Sequence, residues 1–337
     1  DLGYIHRGVE KICEARDFTQ IIPYCDRLCY ASANTWSHAY IYAAEDLLEV
    51  EVPERVVAID RLGMNEIQAT EDGGLRIGAL VTNTATANDA RIRSDYPVLA
   101  RAILAGATQQ LRNRATTGGN LCQRTRCFYF MNIDQPCNKR EPGSGCGAID
   151  GVAKLHAVLG TSDECIATYP GDMAVALSAL DATVQIASVD GAERSVPVRD
   201  FHCLPGDTPW RENVLEDGEV ITAVTLPAPV AGVQLYRKVR ERSSYAFALV
   251  SIAAVVEMEG GKIARANLAF GGLAHKPWHD PRIAETLVGQ VPSAELFDAA
   301  ADVLLEGARG YGENDFKIPL ARRTLHAVLS QATEEAA

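Results

Sequence analysis

With 337 residues the chain is long enough for two or three compact units, and its 47% apolar and 23% charged fractions are those of an ordinary globular protein. Its 32 Lys and Arg against 44 Asp and Glu leave a formal net charge of −12, which excludes a nucleic-acid surface built on clustered cations. No apolar run approaches the roughly 20 residues that span a bilayer, and Asp1-Leu2-Gly3-Tyr4 has neither the basic nor the apolar region of a signal peptide. The basic clusters Arg112 to Arg114 and Arg237 to Arg242 are short and read as solvated charge, with small anionic ligands as the second reading.

In chain order, Gly74 to Val81 reads as a strand, Asn83 to Arg91 as the start of a helix, and Pro97 to Gly106 as an apolar helical segment. Asp172 to Asp181 has helical apolar spacing, with Gly171-Asp172 as a capping signal. It runs into an alternating strand, Ala182 to Ala187, closed by the turn Asp190-Gly191. Glu219 to Pro227 is a strand ended by proline, and Pro227 to Gly232 (PAPVAG) is the best linker in the chain. Beyond it, Tyr236 to Arg242, Ala246 to Met258, Ile263 to Gly272 and Ala299 to Gly307 read as strand, helix or long strand, strand, and helix. Glu259-Gly260-Gly261-Lys262 is placed as a hairpin turn, and the acidic, alanine-rich end after Ser330 is expected to fray. The pattern predicts an α+β chain: an N-terminal half with a cofactor loop, then a C-terminal domain.

Two motifs point to chemistry. In Ala115-Thr116-Thr117-Gly118-Gly119-Asn120-Leu121, adjacent glycines permit close backbone approach, so consecutive amides are expected to form a nest for a pyrophosphate, with Thr and Asn side chains as further donors. The turn is neither a G-x-G-x-x-G dinucleotide fingerprint nor a P-loop, and by itself a Gly-Gly pair is usually only a turn. The second motif is thiol crowding. Nine cysteines cannot all pair within the chain, and five of them fall between Cys122 and Cys165. Cys127, Cys137, Cys146 and Cys165 are spaced C-x9-C-x8-C-x18-C, which fits metal ligation without naming the metal. Lys139 and Arg140 place two cations beside Cys137, and Pro142 to Gly147 offers amides near Cys146. Cys122 reads as packing, and Cys13, Cys25, Cys29 and Cys203 as isolated thiols.

The run RNRATTGGNLCQRTRC resembles the second FAD pyrophosphate loop of the xanthine oxidase and carbon monoxide dehydrogenase family of flavoproteins. YPGDMAVALSALDA, YRKVRERSSYAFALVSIAA and GGLAHKPW are similar to later segments of that family, in the same order, so the resemblance covers most of residues 51 to 330. It implies a two-subdomain FAD-binding fold (PCMH/VAO-like) followed by a smaller α+β domain. The expected divisions are 1–60 for the first FAD subdomain, 61–227 for the second with an Fe–S loop at 122–166, and 233–337 for the C-terminal domain. It implies that Thr116, Thr117, Gly118, Gly119, Asn120 and Leu121 hold FAD pyrophosphate, that Asp172 contacts its ribityl or ring end, and that Lys238 lies near the isoalloxazine. Read without the family, Asp172 is a plain helix cap and Lys238 a solvated strand lysine. One departure stands out. The family's first phosphate loop, Ala-Gly-Gly-Thr, falls here on Ser37-His38-Ala39-Tyr40, which has no glycine, and Cys13 to Ala44 is unlike the family.

The loop TRCFYF…PCNKREPGSGC…EC resembles the insertion of bacterial periplasmic-type aldehyde oxidoreductase flavin subunits, which implies a [4Fe–4S] cluster on Cys127, Cys137, Cys146 and Cys165. The implied function is electron transfer. A molybdenum cofactor in a large partner subunit oxidises an aldehyde, [2Fe–2S] clusters in a small subunit pass electrons to FAD, and an external acceptor takes them. A flavin subunit of a 4-hydroxybenzoyl-CoA reductase-like or xanthine dehydrogenase-like enzyme is the alternative within the family. Outside it stand a cysteine-dependent enzyme using Cys165 with His156, and a zinc-stabilised binding module. Export on a partner's signal to the periplasm and a cytoplasmic location both fit.

Overall fold

Two antiparallel sheets organise residues 58–336, the part of the chain that this computed structural model describes. The Ser37 to Tyr40 stretch, nearly all of the expected 1–60 subdomain, and Cys13, Cys25 and Cys29 lie outside the described residues. The first sheet has the order β1 (Ile67–Ala69), β2 (Leu75–Gly78), β5 (Val220–Leu226), β3 (Thr183–Ala187), β4 (Glu193–Pro197). Alternation sends Val184 and Ile186 into a core shared with Leu75, Ile77 and Val224. Against them pack α3 (Pro97–Ala105), which follows the short helices α1 (Asn83–Asn88) and α2 (Ala90–Asp95), α7 (Asp172–Ala179), and the one-turn α8 (Val198–Phe201) after β4. Every residue of α7 is buried. A helix apolar on all sides has no solvent face to offer, so it runs through the middle of the domain.

The second sheet, β6 (Val233–Val239), β7 (Val250–Glu259) and β8 (Lys262–Gly271), is a meander. It resolves the choice left open for Ala246 to Met258 in favour of a strand. Ala253 and Val255 of β7 face the α7 side, while Ile252, Ala254 and Val256 face a second core. A strand buried on both faces loses its polar alternation, which is why its sequence also reads as helical. The second core is closed by α9 (Pro281–Leu287), α10 (Ala294–Leu304) and α11 (Lys317–Glu335).

The C-terminal end does not fray as expected: α11 continues to Glu335. Leu325, Val328, Leu329 and Ala332 are all 0% exposed at helical spacing. Composition alone hid that stripe. No helix among the described residues is long and apolar enough to cross a membrane. Between β2 and β3 of the first sheet in sequence, residues 122–166 form a largely irregular loop carrying the one-turn helix α6 (Phe128–Met131), with its own small core around Ala148, Ala153 and Ile166.

Candidate functional site

A cavity of about 580 Å³ opens where the end of α3, the start of α7, Lys238 of β6 and the β6–β7 connection meet. Its size is that of a cofactor site. Asn83 Oδ1 and Asn120 Oδ1 lie buried without a hydrogen-bond partner, and both residues line this cavity. Buried acceptors are nearly always satisfied, so two orphans facing one cavity fit an occupant that carries N–H or O–H donors. FAD is such an occupant. Arg112 and Arg240, read from the sequence as solvated charge, instead donate to the Gly106 and Ala105 carbonyls beside the cavity, at 2.7 and 3.3 Å.

The glycine turn forms a short helix, α5 (Thr117–Leu121), following the four-residue α4 (Gln109–Arg112). Thr116 caps α5, its Oγ1 accepting from Gly119 N. Here the expected nest of free amides is not found. Thr117 N donates to Val81 O (2.9 Å), Gly118 N to Ala79 O (2.8 Å), and Asn120 N to Thr116 O (2.8 Å). The turn docks just past the end of β2, where its amides satisfy the Ala79 and Val81 carbonyls. Gly118 suits this approach, since a Cβ there would lie 3.2 Å from Ala79 Cβ and one of the two would have to give by a few tenths of an ångström. Gly118→Val is therefore expected to cost about 1–3 kcal/mol by overpacking, read as a lowered urea midpoint, with weaker flavin retention on gel filtration. Of the six turn residues, Asn120 lines the cavity, and Leu121 is fully buried.

Two side chains missed by sequence reasoning finish the turn. Tyr169 OH donates to Asn120 O (3.1 Å), and the His202 ring bonds Leu121 O (2.8 Å) through Nε2. Since a carbonyl only accepts, His202 Nε2 carries the hydrogen and Nδ1 is bare; Nδ1 is buried and unpartnered. Burial pulls His202 down to about 4, so it is neutral at pH 7. Burial pushes the Tyr169 hydroxyl well above its usual range, keeping it a donor.

Asp172 is the first residue of α7, but Gly171 is the cap and the carboxylate does no capping. Instead its Oδ2 takes the Lys238 ammonium at 2.7 Å and its Oδ1 takes the Tyr236 hydroxyl at 2.6 Å. The Lys238 and Asp172 side chains are 4% and 9% exposed, so neither is the solvated group that a structural reading of the sequence suggested. Tyr236 and Lys238 reach the same carboxylate because residues i and i+2 of a strand share a face. That spacing was the one signal that could have found Tyr236. Burial and then the Asp172 charge hold the Tyr236 hydroxyl protonated.

Cys127, Cys137, Cys146 and Cys165 are free thiols and line one small cavity. An antiparallel bridge sets Cys137 opposite Cys146, with Asn138 N donating to Gly145 O (2.8 Å) and Gly145 N to Asn138 Oδ1 (2.7 Å). Gly143 and Gly145, at φ +88° and +94°, make the tight return possible. The two cations behave differently from expectation. Arg140 spends its guanidinium on the Tyr129 and Phe130 carbonyls. Lys139 is buried, bonds Pro209 O and pairs with Glu212 (3.2 Å), while its charge bears on Cys165. The amides of Ser144, Gly145 and Gly147 also find partners within the loop.

Burial raises the Cys127 thiol and pushes Cys165 up to about 12, so these two thiols hold their protons when bare; a metal centre would draw those protons off. No three His, Cys, Asp or Glu side chains among the described residues converge to hold a single metal ion. His156 Nε2 lies 3.1 Å from Cys127 Sγ, not beside Cys165, and burial brings it down to about 4. A Cys165–His156 nucleophilic pair is not formed. Cys122 is exposed and stands outside the cage.

The chain matches the FAD binding domain in molybdopterin dehydrogenase over residues 42–229 and the CO dehydrogenase flavoprotein C-terminal domain over residues 234–332. It is 50% identical over 289 residues to the aldehyde oxidoreductase FAD-binding subunit PaoB of Escherichia coli (strain K12), covering 86% of this chain and 88% of that protein. It is 25% identical over 249 residues to the glyceraldehyde dehydrogenase medium chain of Sulfolobus acidocaldarius, covering 74% of this chain and 71% of that protein. The fold is similar to a chain of the cyanide-inactivated Cu,Mo-CO dehydrogenase, with a TM-score of 0.64 at 20% identity, covering 88% of this chain and 87% of the other.

Proposed function

This chain belongs to the FAD-binding subunits of the molybdenum hydroxylase family, and from that membership we propose that it is the FAD- and [4Fe–4S]-carrying electron-transfer subunit of a heterotrimeric aldehyde oxidoreductase. The observation that supports this best is adjacency. Cys127 and His156 of the thiol cage and Gly171 and Asp172 of the flavin cavity border the same gap of about 40 Å³. A cage and a cavity sharing a wall suit two redox groups that exchange electrons.

When bound, FAD supplies electron transfer singly and in pairs, and a [4Fe–4S] centre supplies it singly. The protein's part is to hold and tune. Asn83 and Asn120 offer unpaired carbonyl oxygens to the cofactor's donors. Lys238, fixed by Asp172, sets a buried cation at the cavity wall, where it favours the anionic reduced ring. Cys127, Cys137, Cys146 and Cys165 are the ligands of the cluster, and neutral His156 donates from Nε2 to the Cys127 thiolate. In the turn at Thr116 to Leu121, Asn120 is the residue that meets the cofactor, and the turn's amides are held by the protein rather than offered to a pyrophosphate. No residue of this chain performs the aldehyde chemistry. That belongs to a large partner subunit with the molybdenum cofactor, fed through [2Fe–2S] clusters of a small partner towards an external acceptor.

The test is composition. The complex purified with its partners is expected to contain molybdenum and FAD, and this chain about four irons with matching acid-labile sulfide. Cys137→Ser and Cys146→Ser are expected to lose that iron while keeping the flavin. Zinc without sulfide, or iron unchanged in both variants, would remove the cluster from this subunit.

A further inference from the structure

Lys317, the first residue of α11, is 0% exposed, yet no carboxylate among the described residues pairs with it. The other two buried lysines each have one: Lys139 has Glu212 and Lys238 has Asp172. Lys317 Nζ donates instead to three backbone carbonyls, Leu155 O at 3.1 Å, His156 O at 2.8 Å and Gly272 O at 2.8 Å. Three acceptors satisfy its three N–H groups but do not cancel its charge. Neighbouring Asn314, also 0% exposed, donates to the His156 and Ala157 carbonyls and brings no negative charge to the site. A buried, unpaired ammonium costs several kcal/mol, and burial alone brings Lys317 down to about 7. Such a group either loses its proton or faces an anion.

One residue separates it from such an anion. Lys317 holds the His156 carbonyl, and the His156 ring touches Cys127 of the cage. Four ligated thiolates make a loaded cage anionic. We propose that Lys317 is the electrostatic counter-charge of the inorganic centre in the four-cysteine cage, a positioning residue that raises its reduction potential and anchors it from behind His156. This rests on reading the cage as an iron–sulfur site.

The experiment compares Lys317→Met and Lys317→Arg with the unaltered chain, each in the purified complex, with iron loaded and with iron removed by chelation. Lys317→Met is expected to shift the cluster midpoint to more negative potential in an EPR-monitored redox titration. It is also expected to lose iron to chelator faster, on the order of tenfold, the scale of a partly screened charge pair. Its iron-free form is expected to be as stable to urea as the iron-free unaltered chain, because the burden of the unpaired charge is gone. Lys317→Arg keeps potential and iron retention near the original. A Lys317→Met variant that is equally weakened with and without iron, or that fails to fold in either form, overturns the proposal and makes Lys317 a structural clamp. So does a loaded variant with unchanged potential. Absence of iron from the unaltered chain instead removes the iron–sulfur reading itself.

Discussion

Replacing Lys238 by methionine is expected to lower stability by about 3–5 kcal/mol, because it strands the Asp172 carboxylate in a buried site. Tyr236 remains to donate one hydrogen bond, but a single neutral donor does not replace a counter-charge at 2.7 Å. The pair joins α7 to β6, so the loss is felt where the two sheets meet. Urea unfolding monitored by circular dichroism measures the change. The double variant Asp172→Asn, Lys238→Met is expected to recover most of it, since removing both charges removes the stranded one. A single-variant loss below about 1 kcal/mol, the range of exposed pairs, would mean that water reaches the carboxylate.

Acid is expected to unfold the chain early, and four histidines of the described residues, His156, His202, His275 and His279, set the window, His202 and His275 being the most deeply buried. Burial, aided for His275 by the Lys139 charge, lowers His202 to about 4 and His275 to about 3 from the ordinary 6.5. Between those values and 6.5 the unfolded chain binds protons that the folded chain refuses. Stability is therefore intact above about pH 6.5 and is lost as the pH falls towards 4 and then 3. At 1.36 kcal/mol per unit the two histidines together cost roughly 8 kcal/mol by pH 3. Thermal unfolding followed from pH 7 to pH 4 is expected to show a steep fall, flattened in His202→Gln and His275→Gln. An unchanged slope in both variants would place the acid limb elsewhere.

Much of the site was legible because its residues sit in local motifs. Asp172 stands within YPGDMAVALSALDA, the four thiols are crowded into one loop, and the Gly118-Gly119 turn is contiguous. What escaped was convergence from a distance. Tyr236 meets Asp172 across 64 residues, His202 meets Leu121 across 81, and Lys317 meets His156 across 161. A single tyrosine, histidine or lysine amid ordinary sequence carries no periodicity to flag it. The free-amide nest fails for a related reason: two glycines announce close approach without saying to what, and here the partner is the strand end at Ala79. The glycine-free stretch Ser37 to Tyr40 stands out in the sequence and lies outside the described residues.

In the fold, strands and helices with one solvent face were readable, as with β3 and its alternating burial. The doubly buried β7 and the terminal α11 were not settled from sequence. The first lacks polar alternation, and the second hides its apolar stripe among charged residues.

The docking of Thr117 and Gly118 on the carbonyls of Val81 and Ala79 has a mechanical consequence. A guest that grips this turn also grips the margin of the five-stranded sheet, so occupancy and rigidity rise together. Amide protons along β2 and β5, remote from the guest, should then exchange more slowly once the nucleotide is aboard.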